Sequence, residues 1–479
     1  MDVSEYESSF LEVIDSLKQR TDYADLRWVE HTHEYIEVKN GEVVALARSS
    51  DMGFGIRVLY KGAWGFASSY DLTPDSIREV ADKALSIAQA SYRLIREPVR
   101  LAPEDVHIDT YVNPVRVDPF TIAIDDKLDL LFKVDSALRH PHIPIREVFM
   151  DLWRERKLFI NTEGSKIFQD ITHTGAGMQV TAFGEDMQVR SYGNFKAAGY
   201  EYLEELDLIS HTDRVKEEVL ALTKAPVPDE AVKDIIIAGD QLALQIHESC
   251  GHPIELDRVL GTEASFYGTS FLTLDKLGKF QYGSKHVNIV ADATHKDALG
   301  GFGYDDEGVK AQRTDIVREG VFVGYLTSRE TASILGQRSN GAMRASSWNR
   351  IPLIRMTSID LEPGEWELED MIADIKDGIY FETNKSWSID EKRLNFQFGT
   401  EIAWEIKNGR RTQVLRNAIY TGITPEFWRS CDAIANKKYW QIYGVPGCGK
   451  GEPGQSMRVS HGTAPARFRK VRVGYKNER

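Results

Sequence analysis

Two dipeptides, Asn40-Gly41 and Lys61-Gly62, constrain this chain more than any other feature. Each divides runs in which apolar and polar residues alternate: "YIEVKNGEVVALAR" and "GIRVLYKGAWGFAS". Asparagine–glycine between such runs is the strongest short hairpin signal, because both central residues of the tight turn take left-handed backbone angles. Two-residue turns join antiparallel neighbours, so the opening region is expected to be an antiparallel sheet. Helices flank it. Val3, Tyr6, Phe10, Val13, Ile14 and Leu17 fall on one helical stripe. Thr73 followed by Pro74 predicts an N-cap and first helical position for a helix running to about residue 90.

Further along, a helix is expected over residues 119–138. Strands follow in "IREVFMDLW", "RKLFINTEGSKIFQDI" with a turn at Glu163-Gly164, "AGMQVTAF" and "MQVRSYG". Two helical stretches close this half, the second behind Ser210. "APVPDE", residues 225–230, reads as a linker, since its two prolines disfavour helix on either side. Beyond it, "KDIIIAGD" reads as a buried strand, with Asp240 as N-cap of the next helix. The remainder is strand-rich with glycine-rich loops. This order predicts an α+β protein rather than alternating βαβ units. Its expected parts are an N-terminal α+β domain over 1–224 (subregions 1–100 and 101–224), the linker 225–230, and a strand-rich C-terminal domain over 231–479.

Charge narrows the function. Lys plus Arg number 59 against 73 Asp plus Glu, a net −14, which lacks the basic footprint of a sequence-blind nucleic-acid binder. No signal-peptide pattern and no run of 18 uncharged apolar residues is visible, so a cytoplasmic location is expected. Three scattered cysteines, Cys250, Cys431 and Cys448, do not make a disulfide framework.

The chemistry concentrates in "LQIHESCGHPIELD", where His247, Glu248 and His252 form an H-E-x-x-x-H pattern. A regular α-helix turns about 100° per residue, so residues five apart diverge by about 140° and their imidazoles could not share a metal. A π-bulge absorbs one extra residue; a bend or stop would also serve. The Gly251-His252-Pro253 sequence favours a local break, since glycine tolerates unusual angles and proline lacks an N–H. A carboxylate at Glu248 could then take a proton from a metal-activated water. A catalytic zinc needs three protein ligands and one open position. Glu255 is the nearest third candidate, Cys250 lies between the histidines on the same helix, and Cys431 reads as a packed residue on a short helix. Cys448 stands apart, in the glycine-rich loop "YGVPGCGKGEPG", and is the favoured third ligand. That loop lacks the spacing of a phosphate-binding P-loop. Asp305, Asp306 and Glu307 could hold a hard cation but read more readily as solvated or turn-capping carboxylates. His461 and Arg344 are candidates to stabilise an oxyanion or hold a peptide.

Together, "MGFGIRVLYKGAWGFAS", "HESCGH", "YDDEGVKAQRTDIVREGVFVGYLTSRETA" and "RNAIYTG" leading into "VPGCGKGEPG" make the chain resemble the TldD/PmbA peptidases, specifically the TldD-type, metal-bearing members. The resemblance covers nearly the whole length. It implies a zinc metalloprotease acting on unfolded or small peptides, with His247, His252 and Cys448 as ligands and Glu248 as general base. It also implies a dimer, either with a second copy or with a PmbA/TldE-type paralogue, and no direct binding of nucleic acid or membrane. A zinc amidohydrolase of small substrates and a metal-free or structural-metal scaffold subunit are the alternative readings.

Overall fold

A computed structural model describes residues 3–451 and 453–474. The fold is α+β. Its N-terminal half is built on a seven-stranded sheet in the order Ala63–Ser69, Glu42–Tyr60, Tyr23–Lys39, Ile145–Asn161, Lys166–Phe183 and Ile108–Val112, with Met187–Lys196 also paired to Lys166–Phe183. Both expected tight turns are present: Asn40 and Gly41 have φ of 53° and 82°, and Lys61 and Gly62 have 49° and 80°. Helices Ser4–Lys18 and Pro74–Ser91 pack on one end of the sheet, burying Phe10, Ile14 and Leu17 against Leu26 and Trp28. Thr73 caps the second of these helices by accepting the Ser76 N–H at 3.4 Å.

Two helix boundaries differ from expectation. Residues 119–138 are not one helix: a 3₁₀ turn at Pro119–Thr121 leads to extended Ile122 (φ −73°, ψ 134°), and the α-helix is Ile124–Ala137. The later helix, Leu208–Leu222, starts ahead of Ser210, because the Asp207 carboxylate caps it by accepting the Ser210 N–H.

The C-terminal half carries a second seven-stranded sheet in the order Asp377–Ile389, Ala231–Ile237, Ala466–Val473, Ile419–Ile423, Asn395–Lys407 and Arg410–Leu415, with Cys431–Ile434 added on Ala466–Val473. Ala231–Ile237 lies inside this sheet, and Ile235, Ile236 and Ile237 are fully buried, as an uninterrupted apolar run requires. The segment "RTQVLRNAIY" forms two strands, divided where Asn417 turns left-handed (φ 51°). Cys431 opens a strand rather than sitting in a helix. The glycine-rich stretch around Cys448 is not a loop either. It is the strand Gln441–Lys450, paired with Gln455–Thr463 through a register shift between Val445 and Cys448. Pro446 sits inside that irregularity, where its missing N–H is tolerated.

The acidic triplet joins the two halves. Asp306 pairs with Lys157 at 2.5 Å and Arg27 at 3.4 Å, and Glu307 pairs with Arg57 at 3.4 Å. Asp305 accepts the N–H groups of Glu307, Val309 and Met343 at 2.8–3.0 Å. These carboxylates are buried and internally satisfied, which corrects the solvated reading, while Asp305 caps a turn as the other reading had it. Among the described residues, no helix is long and apolar enough to cross a membrane.

Candidate metal centre

The strand Ala231–Ile237, buried over its last three residues, feeds the helix Gly239–Ile246, which begins after extended Ala238. Asp240 therefore lies in the first turn rather than at the N-cap, where its carboxylate still complements the positive end of the helix. The helix then widens. His247–Gly251 form one π-helical turn, closed by the His252 N–H bonding to the His247 carbonyl, and His252–Ile254 tighten into 3₁₀ geometry. Of the two routes open to the five-residue spacing, the protein uses the π turn rather than a break. Gly251 has ordinary helical angles (φ −58°, ψ −56°). Its small size matters instead, because a Cβ there would lie 2.2 Å from the Met356 sulfur.

The π turn brings the rings of His247 and His252 to 4.9 Å between centroids, nearly perpendicular at 89°. Cys448, delivered from the strand Gln441–Lys450, places Sγ 3.7 Å from His252 Nε2. One potential ligand atom from each of the three residues lies within 4.8 Å of the others, and all three side chains are buried.

The surrounding hydrogen bonds fix how the imidazoles present themselves. His461 Nδ1 donates to the Ile359 carbonyl at 3.0 Å, so its Nε2 is the acceptor for His247 Nδ1–H at 2.8 Å. His252 Nδ1–H donates to Glu255 Oε2 at 3.0 Å. Both histidines thereby keep the Nε2 lone pair free, as second partners do for metal-binding imidazoles. Burial, reinforced by nearby His247, keeps His461 well below the usual imidazole range and hence neutral. Burial alone would raise the Cys448 thiol, but His247, His252 and Arg355 outweigh it and hold the group well below the ordinary thiol range. Arg355 also donates to the Cys448 carbonyl. Two free imidazole nitrogens and a thiolate-prone cysteine form a donor set suited to zinc.

Glu248, also buried, forms an ion pair with Arg393. Burial works against its charge, yet His247, His252 and Arg393 together bring its pKa below the usual value. The other sequence candidates fall outside the cluster. Cys250 is fully buried in the apolar core, and burial pushes its thiol up to about 12. Cys431 packs in the same core, with Sγ 3.9 Å from the Ala433 carbonyl. Glu255 stands behind His252 rather than beside the sulfur. Arg344 donates to the carbonyls of Met356 and Arg458, both at 2.9 Å, instead of facing the cluster. His461 supports His247 from behind, so the oxyanion role considered for it does not fit its position. Arg393 and Arg355 escape sequence reading. Arg393 sits in "DEKRL", which reads as a solvated turn, and Arg355 reads as part of a strand.

Sequence profiles of three PmbA/TldA metallopeptidase domains match this chain: domain 1 over residues 24–88, the central domain over 117–233 and the C-terminal domain over 231–475. A metalloprotease of Methanocaldococcus jannaschii is 30% identical over 459 residues, covering 94% of this chain and 97% of that protein. A zinc metalloprotease TldD homolog of Saccharolobus solfataricus is 24% identical over 434 residues, covering 88% and 90% respectively. The crystal structure of TldE from Thermococcus kodakarensis has the same fold, with a TM-score of 0.76 at 16% identity over 97% of this chain and 100% of that one. With a profile matching its second half and a 30%-identical metalloprotease aligned along nearly its full length, the chain belongs to the PmbA/TldD metallopeptidase family.

Proposed function

We propose that the protein is a zinc-dependent peptidase that hydrolyses small or unfolded peptides, with His247, His252 and Cys448 as ligands and Glu248 as general base. The observation that carries this reading is the buried convergence of the three donors, with each imidazole Nδ1 already committed to a partner. Bound there, zinc supplies a Lewis acid that lowers the pKa of water to about 7. His247 and His252 present neutral Nε2 atoms, and Cys448 contributes one negative charge. With zinc held there, two neutral imidazoles and one thiolate would leave the site a net charge of +1. Glu248, adjacent to His247 on the π turn, takes the proton from the attacking water and returns it to the leaving nitrogen. The same proposal includes a catalytic part over 231–479, a cytoplasmic setting, and pairing with a second copy or a TldE-type chain.

Metal analysis of the purified protein, run beside peptide cleavage, tests this. The parent should hold about one zinc per chain. Cys448→Ser should lose most of its zinc affinity. Glu248→Gln should retain zinc while kcat falls by about 10²–10⁴. Stoichiometric zinc and full activity in Cys448→Ser would overturn the ligand set. Parent-rate hydrolysis by Glu248→Gln would overturn the base. Cleavage of small amides but of no peptide would favour the amidohydrolase reading.

A further inference from the structure

Arg393 lies in the turn between the strands Asp377–Ile389 and Asn395–Lys407, and its φ of 64° is left-handed backbone that residues other than glycine rarely adopt. The turn is held from several sides. Arg393 N–H donates to the Asp390 carbonyl at 2.8 Å, and the Thr424 hydroxyl donates to the Arg393 carbonyl at 2.9 Å. The Phe271 N–H donates to the Lys392 carbonyl at 3.0 Å, and Arg258 donates to the Glu391 carbonyl at 2.9 Å. These contacts fix where the Arg393 side chain leaves the backbone of the turn.

The side chain meets Glu248, yet the ion pair uses only one of the five guanidinium N–H groups. Arg393 Nε is buried with no hydrogen-bond partner among the described residues. The side chain is 14% exposed, so the group reaches the edge of open space. Neighbouring Arg258 is the contrast: its Nε serves the Thr269 carbonyl at 2.8 Å, Nη1 serves Glu263 at 3.0 Å, and Nη2 serves the Tyr267 and Glu391 carbonyls. Arg258 is consumed by the fold. Arg393 keeps unspent donors beside the proposed base, and a buried unspent donor calls for an acceptor that arrives later.

We propose that Arg393 is a catalytic residue of peptide hydrolysis, its unspent N–H groups receiving the oxygen of the scissile carbonyl as negative charge builds on it. This rests on the peptidase reading with Glu248 as base. Water loses a proton to Glu248 as its oxygen bonds to the carbonyl carbon, and the C=O π pair moves onto the oxygen. That pair returns as the C–N bond breaks, and Glu248 passes its proton to the nitrogen. Arg393 gains and loses no proton; it holds charge where charge develops.

The test uses full-length, zinc-loaded protein with Arg393→Ala, Arg393→Lys, Arg393→Gln and Glu248→Gln. Arg393→Ala should lower kcat by about 10²–10³ with little change in KM and an unchanged zinc content. A phosphinic peptide, which mimics the tetrahedral anion, should lose affinity in step with kcat/KM, while a cleaved product peptide should not. Arg393→Lys should recover part of the rate by keeping a charged donor. If the alanine variant does not fold, the glutamine variant carries the test, with the same loss of kcat and of phosphinic-peptide affinity. A parent kcat in either variant, or equal weakening of both peptides, would overturn the proposal. Glu248→Gln separates the two assignments. If it is slow while Arg393→Ala is not, Arg393 is refuted and the base survives. If it is fast while Arg393→Ala is slow, the base assignment fails and the role of Arg393 is supported.

Discussion

Replacing His461 by Phe should weaken zinc binding without touching a proposed ligand. His461 is fully buried and accepts the His247 Nδ1–H at 2.8 Å. Phenylalanine fills most of the space but offers no acceptor, so a buried N–H is left unsatisfied at about 1–3 kcal/mol. Nothing then keeps the His247 ring in the tautomer that aims Nε2 at the cluster. Loss of such a supporting partner typically lowers metal affinity by 10–100-fold, which is about 1.4–2.8 kcal/mol. The two routes to the magnitude agree. A competition titration of apo-protein against a chromophoric zinc chelator at neutral pH would read the change directly, with circular dichroism as the check on folding. His461→Gln retains a side-chain acceptor and should lose less. A folded Phe variant that binds zinc within about threefold of the parent, below the range such partners set, would refute the claim that His461 orients His247.

Three further outcomes follow from particular contacts. Gly251→Ala would put a Cβ 2.2 Å from the Met356 sulfur, so thermal unfolding should show about 1–3 kcal/mol of overpacking; Met356→Ala in the same chain should relieve part of it. Asp306→Asn leaves buried Arg27 without its counter-ion and Lys157 with only Glu155 at 3.4 Å, and chemical denaturation should show a loss of about 3–5 kcal/mol. The proposed dimer should hold in light scattering across micromolar concentrations, and a stable monomer there would end that proposal.

What could be read from sequence was whatever local stereochemistry restricts to a few residue types. Asn40-Gly41 and Lys61-Gly62 announced their hairpins because consecutive left-handed residues admit few side chains. The spacing of His247 and His252 announced an irregular helix because the rotation per residue allows no other way to bring the rings together. The form of the irregularity was not legible. Glycine before the second histidine suggested a broken helix, yet Gly251 is there to admit Met356, a contact that sequence adjacency does not show. Cys448 stood out as a cysteine among glycines, but the same glycines and Pro446 disguised a strand, since a bulge stabilised by its neighbour Gln455–Thr463 overrides local composition. Arg393 and Arg355 were invisible for a related reason. An arginine in a polar turn or an apolar strand carries no local mark of the carboxylate or carbonyl it will meet across the fold.

The acidic triplet shows how far that non-local dependence extends. Asp306, anchored by Lys157 and Arg27 of the N-terminal sheet, accepts the Ala345 N–H at 2.6 Å, while Asp305 accepts the Met343 N–H at 3.0 Å. The strand Met343–Arg344 pairs with Leu353–Ile354, and the Arg355 N–H donates to the Ala342 carbonyl at 2.8 Å. Arg355 in turn holds the Cys448 carbonyl, and Met356 beside it packs on Gly251 of the π turn. Each link is a buried hydrogen bond, ion pair or packing contact, so the backbone carrying the thiol and the turn carrying the imidazoles are both braced, through a few residues, against the N-terminal sheet. The donor atoms come from the C-terminal half, but their placement depends on both halves being folded together.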